Sequence, residues 1–159
     1  MSVRPLAEAD HAWVLALNAA HEVETGPLDA ASLAAHLARA AHAAVAEPEA
    51  GFLLAFAPDA GIASPNFRWF SARMDGFLYI DRVIVAATAR GRGLATALYD
   101  DAAAAAGRLG LGALVAEVNL DPPNPASLAF HEKAGFVPVG EARLEGRGKT
   151  VRYLRRDLA

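Results

Sequence analysis

The chain has 159 residues, 54% of them apolar and 21% charged, with a formal net charge of −3. That length holds one domain with a full core and is too short for two of ordinary size; the composition excludes disorder and an extended nucleic-acid surface. There is no cysteine, which excludes disulfides, thiolate metal sites and a cysteine nucleophile and fits a reducing compartment.

The opening MSVRPLAEAD lacks the apolar segment of a secretory signal, and no apolar run reaches transmembrane length, so the sequence reads as soluble and cytoplasmic, with no membrane partner. Val3 to Leu6 reads as an edge strand and Glu8 to Ala20 as a helix with Ala12, Trp13, Leu15, Ala16 and Ala19 at helical spacing. HEVETGP breaks it, and Asp29 is placed to cap a second helix bearing Leu33 and Leu37. Ala43 to Glu47 and Gly51 to Ala57 read as a hairpin, followed by a long loop, GIASPNFRWFSARMDG, with no clear period. Phe77 to Val85 is then a strand, and Gly91 to about Gly107 a helix with Leu94, Leu98, Ala102 and Ala105 on one stripe. Leu111 to Leu120 is another strand. A helix starts at Pro125 behind the cap residue Asn124, and Phe136 to Leu144 with Lys149 to Leu154 forms a final hairpin. The order predicts one α/β domain over residues 1–159, three layers deep, with a mixed central sheet and helices on both faces.

The segment VIVAATARGRGLATAL places Gly91 and Gly93 where a helix begins. Helix N-termini carry N–H groups without intrahelical partners and a positive dipole end, and glycine lets an anion approach them. Arg90 and Arg92 add charge, so the turn suits a pyrophosphate. It has neither the GxxxxGK[ST] nor the GxGxxG spacing, and alone it reads equally well as an exposed basic turn.

A second segment, NPASLAFHEKAGF, follows the next strand. Together the two resemble the GNAT (Gcn5-related N-acetyltransferase) superfamily: its [QR]-x-x-G-x-[GA] signature matches Arg90-x-x-Gly93-x-Ala95, and its N-x-x-[AS]-x-x-[FL]-Y-x-x-x-G-F signature matches Asn124 to Phe136 except at His131. The resemblance covers residues 77 to 140 well and the first third only in element order. It implies a GNAT-like fold, acetyl-CoA as cofactor and N-acetyltransferase activity on a primary amine of a small molecule or peptide, by direct attack in a ternary complex. Homodimers are common in such families. The coenzyme arm would pair with the backbone of Val83, Ile84 and Val85, like an added strand, and the diphosphate with the turn from Arg90, Gly91, Arg92 and Gly93 to Leu94, Ala95 and Thr96. Asn124, Ser127 and His131 would complete that side, Asn124 also reading simply as a helix cap.

The acceptor ammonium must lose a proton before it attacks. Glu117 matches a catalytic glutamate of some ribosomal-protein N-terminal acetyltransferases in the superfamily, though the link to Asn124 is about two residues longer here. Asp81 is the rival, placed by period two on the face of Val83 and Val85. At His131 the superfamily usually has a tyrosine that serves the departing thiolate; an imidazolium there would be lost as pH rises above 7. Acceptor contacts are expected from His21, Glu22 and Glu24 and from Asn66, Phe67, Trp69 and Phe70, the aromatics also reading as core. No metal ligands are expected: His11, His36 and His42 have no second ligand at metal spacing. The stretches HEVETGPLD, SPNF and NLDPPNP look like a bacterial branch of the superfamily and supply no acceptor. The other readings are a non-catalytic acyl-CoA sensor, which would bind without turnover, and a nucleotide-phosphate protein using the same turn.

Overall fold

The computed structural model describes residues 2–158. The strands are β1 (Val3–Pro5), β2 (His42–Ala46), β3 (Gly51–Phe56), β4 (Phe77–Val85), β5 (Ala113–Asp121), β6 (Val137–Leu144) and β7 (Lys149–Asp157). The helices are α1 (His11–Ala19), α2 (Glu22–Thr25), α3 (Ala30–Arg39), α4 (Pro65–Ser71), α5 (Leu94–Arg108) and α6 (Pro125–Lys133), with 3-10 turns at Glu8–Asp10 and Ala87–Ala89. All seven strands lie in one sheet, ordered β1-β2-β3-β4-β5-β7-β6, antiparallel except for the parallel pair β4-β5. This is the expected mixed α/β sheet.

Alternation along the strands sorts the core into two faces. On one, Leu53, Ala55, Leu78, Ile80, Leu114 and Ala116 meet Leu94, Leu98, Tyr99 and Ala102 of α5. The opposite face splits into two clusters. Phe52 and Leu54 meet Val14 of α1 and Leu33 of α3, while Phe77, Tyr79 and Val115 meet Phe67 and Phe70 of α4. Each large apolar side chain buried in this way contributes about 1.5–3 kcal/mol.

The caps follow local chemistry. Asp29 accepts from the Ser32 N–H at 2.8 Å, and Asn124 from the Ser127 N–H at 3.3 Å, with Pro125 at the first helical position. Two segments differ from the sequence reading. The supposed long loop contains α4, started by Ser64, whose hydroxyl accepts from the Phe67 N–H at 3.2 Å, and by Pro65. The cap and proline were visible, but seven residues are too few to display a helical period. The helix expected from Gly91 begins at Leu94, because Gly91 and Gly93 have φ of +80° and +73°, the left-handed region in which glycine is at ease.

Candidate active site

The site originates where two central strands part. β4 and β5 pair only through Phe77–Ala113, Leu78–Leu114 and Tyr79–Val115. Beyond Tyr79, β4 stays with β3 through Val83, Ile84 and Val85, and β5 stays with β7 through Asp121. The edge of β4 that faces β5 is therefore free of strand partners along Val83 to Val85, as the added-strand reading requires. Past the last paired residues, Asp81 and Glu117 stand two positions on from Tyr79 and Val115, one on each lip of the opening.

Glu117 lies on the α4 face, in line with Val115. It accepts a hydrogen bond from the Tyr79 hydroxyl and reaches a cavity of about 670 Å³. Burial pushes its carboxyl up to about 8; the Tyr79 hydrogen bond opposes the rise, the Asp81 charge adds to it and the Lys149 charge reduces it. Tyr79, buried beside two carboxylates, is pushed well above the ordinary phenol range and stays a donor.

Asp81 corrects one expectation. The β3–β4 register passes from Leu54–Arg82 to Ala55–Ile80, leaving Asp81 as the extra residue of a bulge. The bulge breaks the period of two. Val83 and Val85 pack on the α5 side, whereas Asp81 meets His36 of α3, Nε2 to Oδ2 at 3.9 Å, and Arg82 at 3.5 Å. Burial raises the Asp81 carboxyl, against the pull of Arg82 and His36. Its Oδ2 is buried without a hydrogen-bond partner. The rest of the Arg82 guanidinium holds the α1–α3 connection, donating to Asn18 Oδ1 and the Gly26 carbonyl, each at 2.9 Å.

A second cavity, about 590 Å³, runs along the glycine turn and is lined by Val83 to Val85, Arg90, Gly91, Gly93, Leu94, Ala95 and Thr96. Nothing lies within 4 Å of where a Cβ would project from Gly91 or Gly93, so the turn presents open backbone. Arg92 is exposed and does not line this cavity. His21, expected on the acceptor side, stands here as well: its Nδ1 donates to the Leu17 carbonyl at 3.1 Å and its Nε2 accepts from Arg90 at 3.0 Å.

The two cavities share Glu24, Thr25, Val83, Tyr99, Asn124, Ser127 and His131. His131 is only 5% exposed. Its Nδ1 lies 2.7 Å from the Ser127 carbonyl, which can only accept, so that nitrogen carries the hydrogen; Nε2 then accepts from the Tyr99 hydroxyl at 2.7 Å. Burial lowers its pKa, so the ring is neutral at pH 7 and both nitrogens are occupied. The loss of an imidazolium donor above pH 7 is thus not expected. A further polar group at the junction is the Tyr99 hydroxyl, which sequence reasoning missed because Tyr99 sits on the buried, apolar side of α5.

Of the other acceptor candidates, Glu24 lines both cavities, Asn66 the larger one and Glu22 neither. Phe67 and Phe70 are buried in the core beneath α4 and do not reach it, because both point from α4 onto the sheet. Trp69 stacks on Tyr153 at 4.2 Å, and the Tyr153 hydroxyl donates to Asn66 Oδ1 at 2.9 Å. The aromatic trio is a packing element, not a cavity wall. His36, Arg39 and Lys149 do line the cavity and were not foreseen. His36 and Arg39 lie three positions apart on α3 while Lys149 opens β7, and no linear motif joins the two elements.

No curated protein matches the chain. Among solved structures, the ribosomal-protein-alanine N-acetyltransferase from Brucella melitensis is 23% identical at a TM-score of 0.75, with 99% of this chain and 100% of that one covered. The NatC complex bound to Gag peptide and CoA contains a chain 18% identical at a TM-score of 0.75, with coverage of 99% and 98%. YncA from Salmonella typhimurium, solved with its cofactor acetyl-CoA, is 20% identical at a TM-score of 0.70, with coverage of 100% and 94%. These likenesses show a shared fold. The model of the acetyltransferase (GNAT) family matches residues 17–136, three quarters of the sequence, and the chain belongs to that family.

Proposed function

We propose that the protein, as one domain over residues 1–159, transfers an acetyl group from acetyl-CoA to a primary amine in a ternary complex. The observation that carries this reading is the meeting of the two cavities: the glycine-turn cavity opens beside Tyr99 and His131 onto the one that holds Glu117. The residues fit the coenzyme. Open backbone at Gly91 and Gly93, the unpartnered N–H groups at the start of α5 and the Arg90 guanidinium suit a diphosphate, and the free edge of Val83 to Val85 suits an amide-bearing arm. Asn124 and Ser127 stand at the junction.

When bound, acetyl-CoA supplies an activated acyl thioester. Glu117 in its ionised form accepts the proton that the acceptor ammonium must lose, and Tyr79 fixes the carboxylate by donating to it. Asp81, on the opposite lip, lines the same cavity and offers its carboxylate to the ammonium before that transfer. Tyr99 stands at the junction where the sulfur would leave; its hydroxyl proton is held by His131 Nε2 and would have to swing from it to serve the sulfur. The acetyl-CoA-bound neighbour and the peptide- and CoA-bound NatC complex support the donor and an amine acceptor.

The test is a thermal shift followed by release of free CoA with a panel of amines. At a hundredfold excess over Kd, ligand binding stabilises by about 2.7 kcal/mol, or roughly 5–11 °C for a chain of this size. Acetyl-CoA is expected to give that shift and ATP none. Binding without CoA release for any amine would leave the acyl-CoA sensor as the function, and no shift would remove the coenzyme altogether.

A further inference from the structure

The larger cavity is not electrically balanced. Asp81 and Arg82 neutralise each other at its floor, 3.5 Å apart. Glu117, with its carboxyl pushed up to about 8, carries only a fraction of a charge at neutral pH. The remaining cations of the lining are Arg39, Arg147 and Lys149, and none has a carboxylate within 4.0 Å among the described residues. Against them stands Glu24, exposed and also outside any ion pair. Two of the cations are oriented by backbone. Arg39 donates to the carbonyls of Ala60 and Gly61 at 3.3 and 3.0 Å, and Lys149 Nζ donates to the Val23 carbonyl at 3.3 Å. In a protein of net charge −3 this is a local reversal of sign.

Such a cavity repels an amine whose only charge is its ammonium. It favours one that brings an anion to the cations while its ammonium meets the carboxylates of Asp81 and Glu117. Building on the acetyltransferase reading, we infer that the acceptor is a small amine that also carries an anionic group, a carboxylate or phosphonate, held by Lys149, Arg147 and Arg39 while its nitrogen lies between Asp81 and Glu117. The bond formed is nitrogen to acetyl carbon and the bond broken is carbon to sulfur; Glu117 takes one proton of the ammonium, the departing thiolate takes the second, and CoA leaves as the free thiol.

The experiment measures kcat/KM at saturating acetyl-CoA for matched pairs: amino acids against their amides, and aminoalkylphosphonates against the corresponding amino alcohols. Acids are expected to exceed their neutral partners by at least about tenfold, the low end for a hydrogen bond to a charged group. Lys149→Met and Arg147→Met should shrink that ratio through KM, and Lys149→Arg should keep it. Equal or better turnover of the neutral partners overturns the inference while leaving the acetyltransferase intact. Acidic peptides outrunning every small acid would overturn the small-molecule assignment. If no amine is turned over, calorimetric binding of acid and amide to the acetyl-CoA-loaded protein decides, and equal affinity overturns it. Failure of acetyl-CoA itself to bind is a different result, which removes the parent reading.

Discussion

The pH dependence of transfer tests the assignment of Glu117 as base most directly. Its carboxyl titrates at about 8, so the ionised fraction rises from about one eleventh at pH 7 to about ten elevenths at pH 9. If the ionised form is the base, kcat/KM rises about tenfold across that interval. The acceptor should be an ω-amino acid whose alkylammonium, with a pKa of about 10.4, stays protonated throughout and does not add its own titration. Two variants should move the midpoint in opposite directions. Tyr79→Phe removes a hydrogen bond made to the charged carboxylate, which costs about 1.5–3 kcal/mol, so the midpoint rises by about 1–2 pH units and turnover at pH 7 falls in proportion. Asp81→Asn removes a like charge, so the midpoint falls. Glu117→Gln should lose both the activity and the ionisation. A Glu117→Gln enzyme that keeps the wild-type profile, or a Tyr79→Phe enzyme with an unmoved midpoint, would refute the reasoning and leave Asp81 as the base.

Three further outcomes follow from the structure. Gly93→Ala has no steric neighbour, yet it forces a Cβ into the left-handed region at φ +73°, so it should cost about 1–2 kcal/mol in chemical denaturation and abolish the thermal shift with acetyl-CoA. Gly140→Ala would drive a methyl into the Trp69 ring where it stacks on Tyr153; a loss of about 1–3 kcal/mol with altered tryptophan fluorescence is expected, and an unchanged denaturation midpoint would contradict that packing. Asp10 accepts from Arg4 at 2.7 and 2.9 Å and from the Trp13 indole and the Ala7 N–H at 2.9 Å, which hold its carboxyl well below the usual range. The stability it supplies is present above the ordinary carboxylate pKa and lost as pH falls through the lowered one; Asp10→Asn should lower Tm at pH 7 and flatten its decline in acid.

The parts of this architecture legible in the sequence were those written in local code. The hairpin β2–β3, the stripe of α5, the cap residues Asp29 and Asn124 and both motifs depend on residues within a few positions of one another. What escaped depends on contacts between distant elements. The bulge that turns Asp81 toward α3 has no signature in FLYIDRVIV, because period two along a strand is assumed until a partner strand shows otherwise. Tyr99 looks like another apolar member of the α5 stripe until α6 brings His131 to it from 32 positions away. Phe67 and Phe70 were readable equally as wall or core, and only the placement of α4 on the sheet decides for core.

The opening between β4 and β5 links the energetics of the fold to its chemistry. A continuous ladder would have placed Asp81 opposite Glu117 and closed the gap between the strands; ending the pairing at Tyr79 and Val115 leaves both residues lining a cavity deep in the protein. The cost can be read from the titration of Glu117. Between the ordinary value of 4.5 and about 8 the folded protein holds a proton that the unfolded chain has released, so stability is greatest below 4.5 on this account and declines as pH rises through 8. The decline amounts to a few kcal/mol, a large part of what a domain has. Burial that serves only packing would have selected a leucine or a glutamine here, with no such penalty. A carboxyl kept at that depth, tied to Tyr79 and opened to a cavity, fits the proposed transfer, in which Glu117 is a base with a pKa near the working pH.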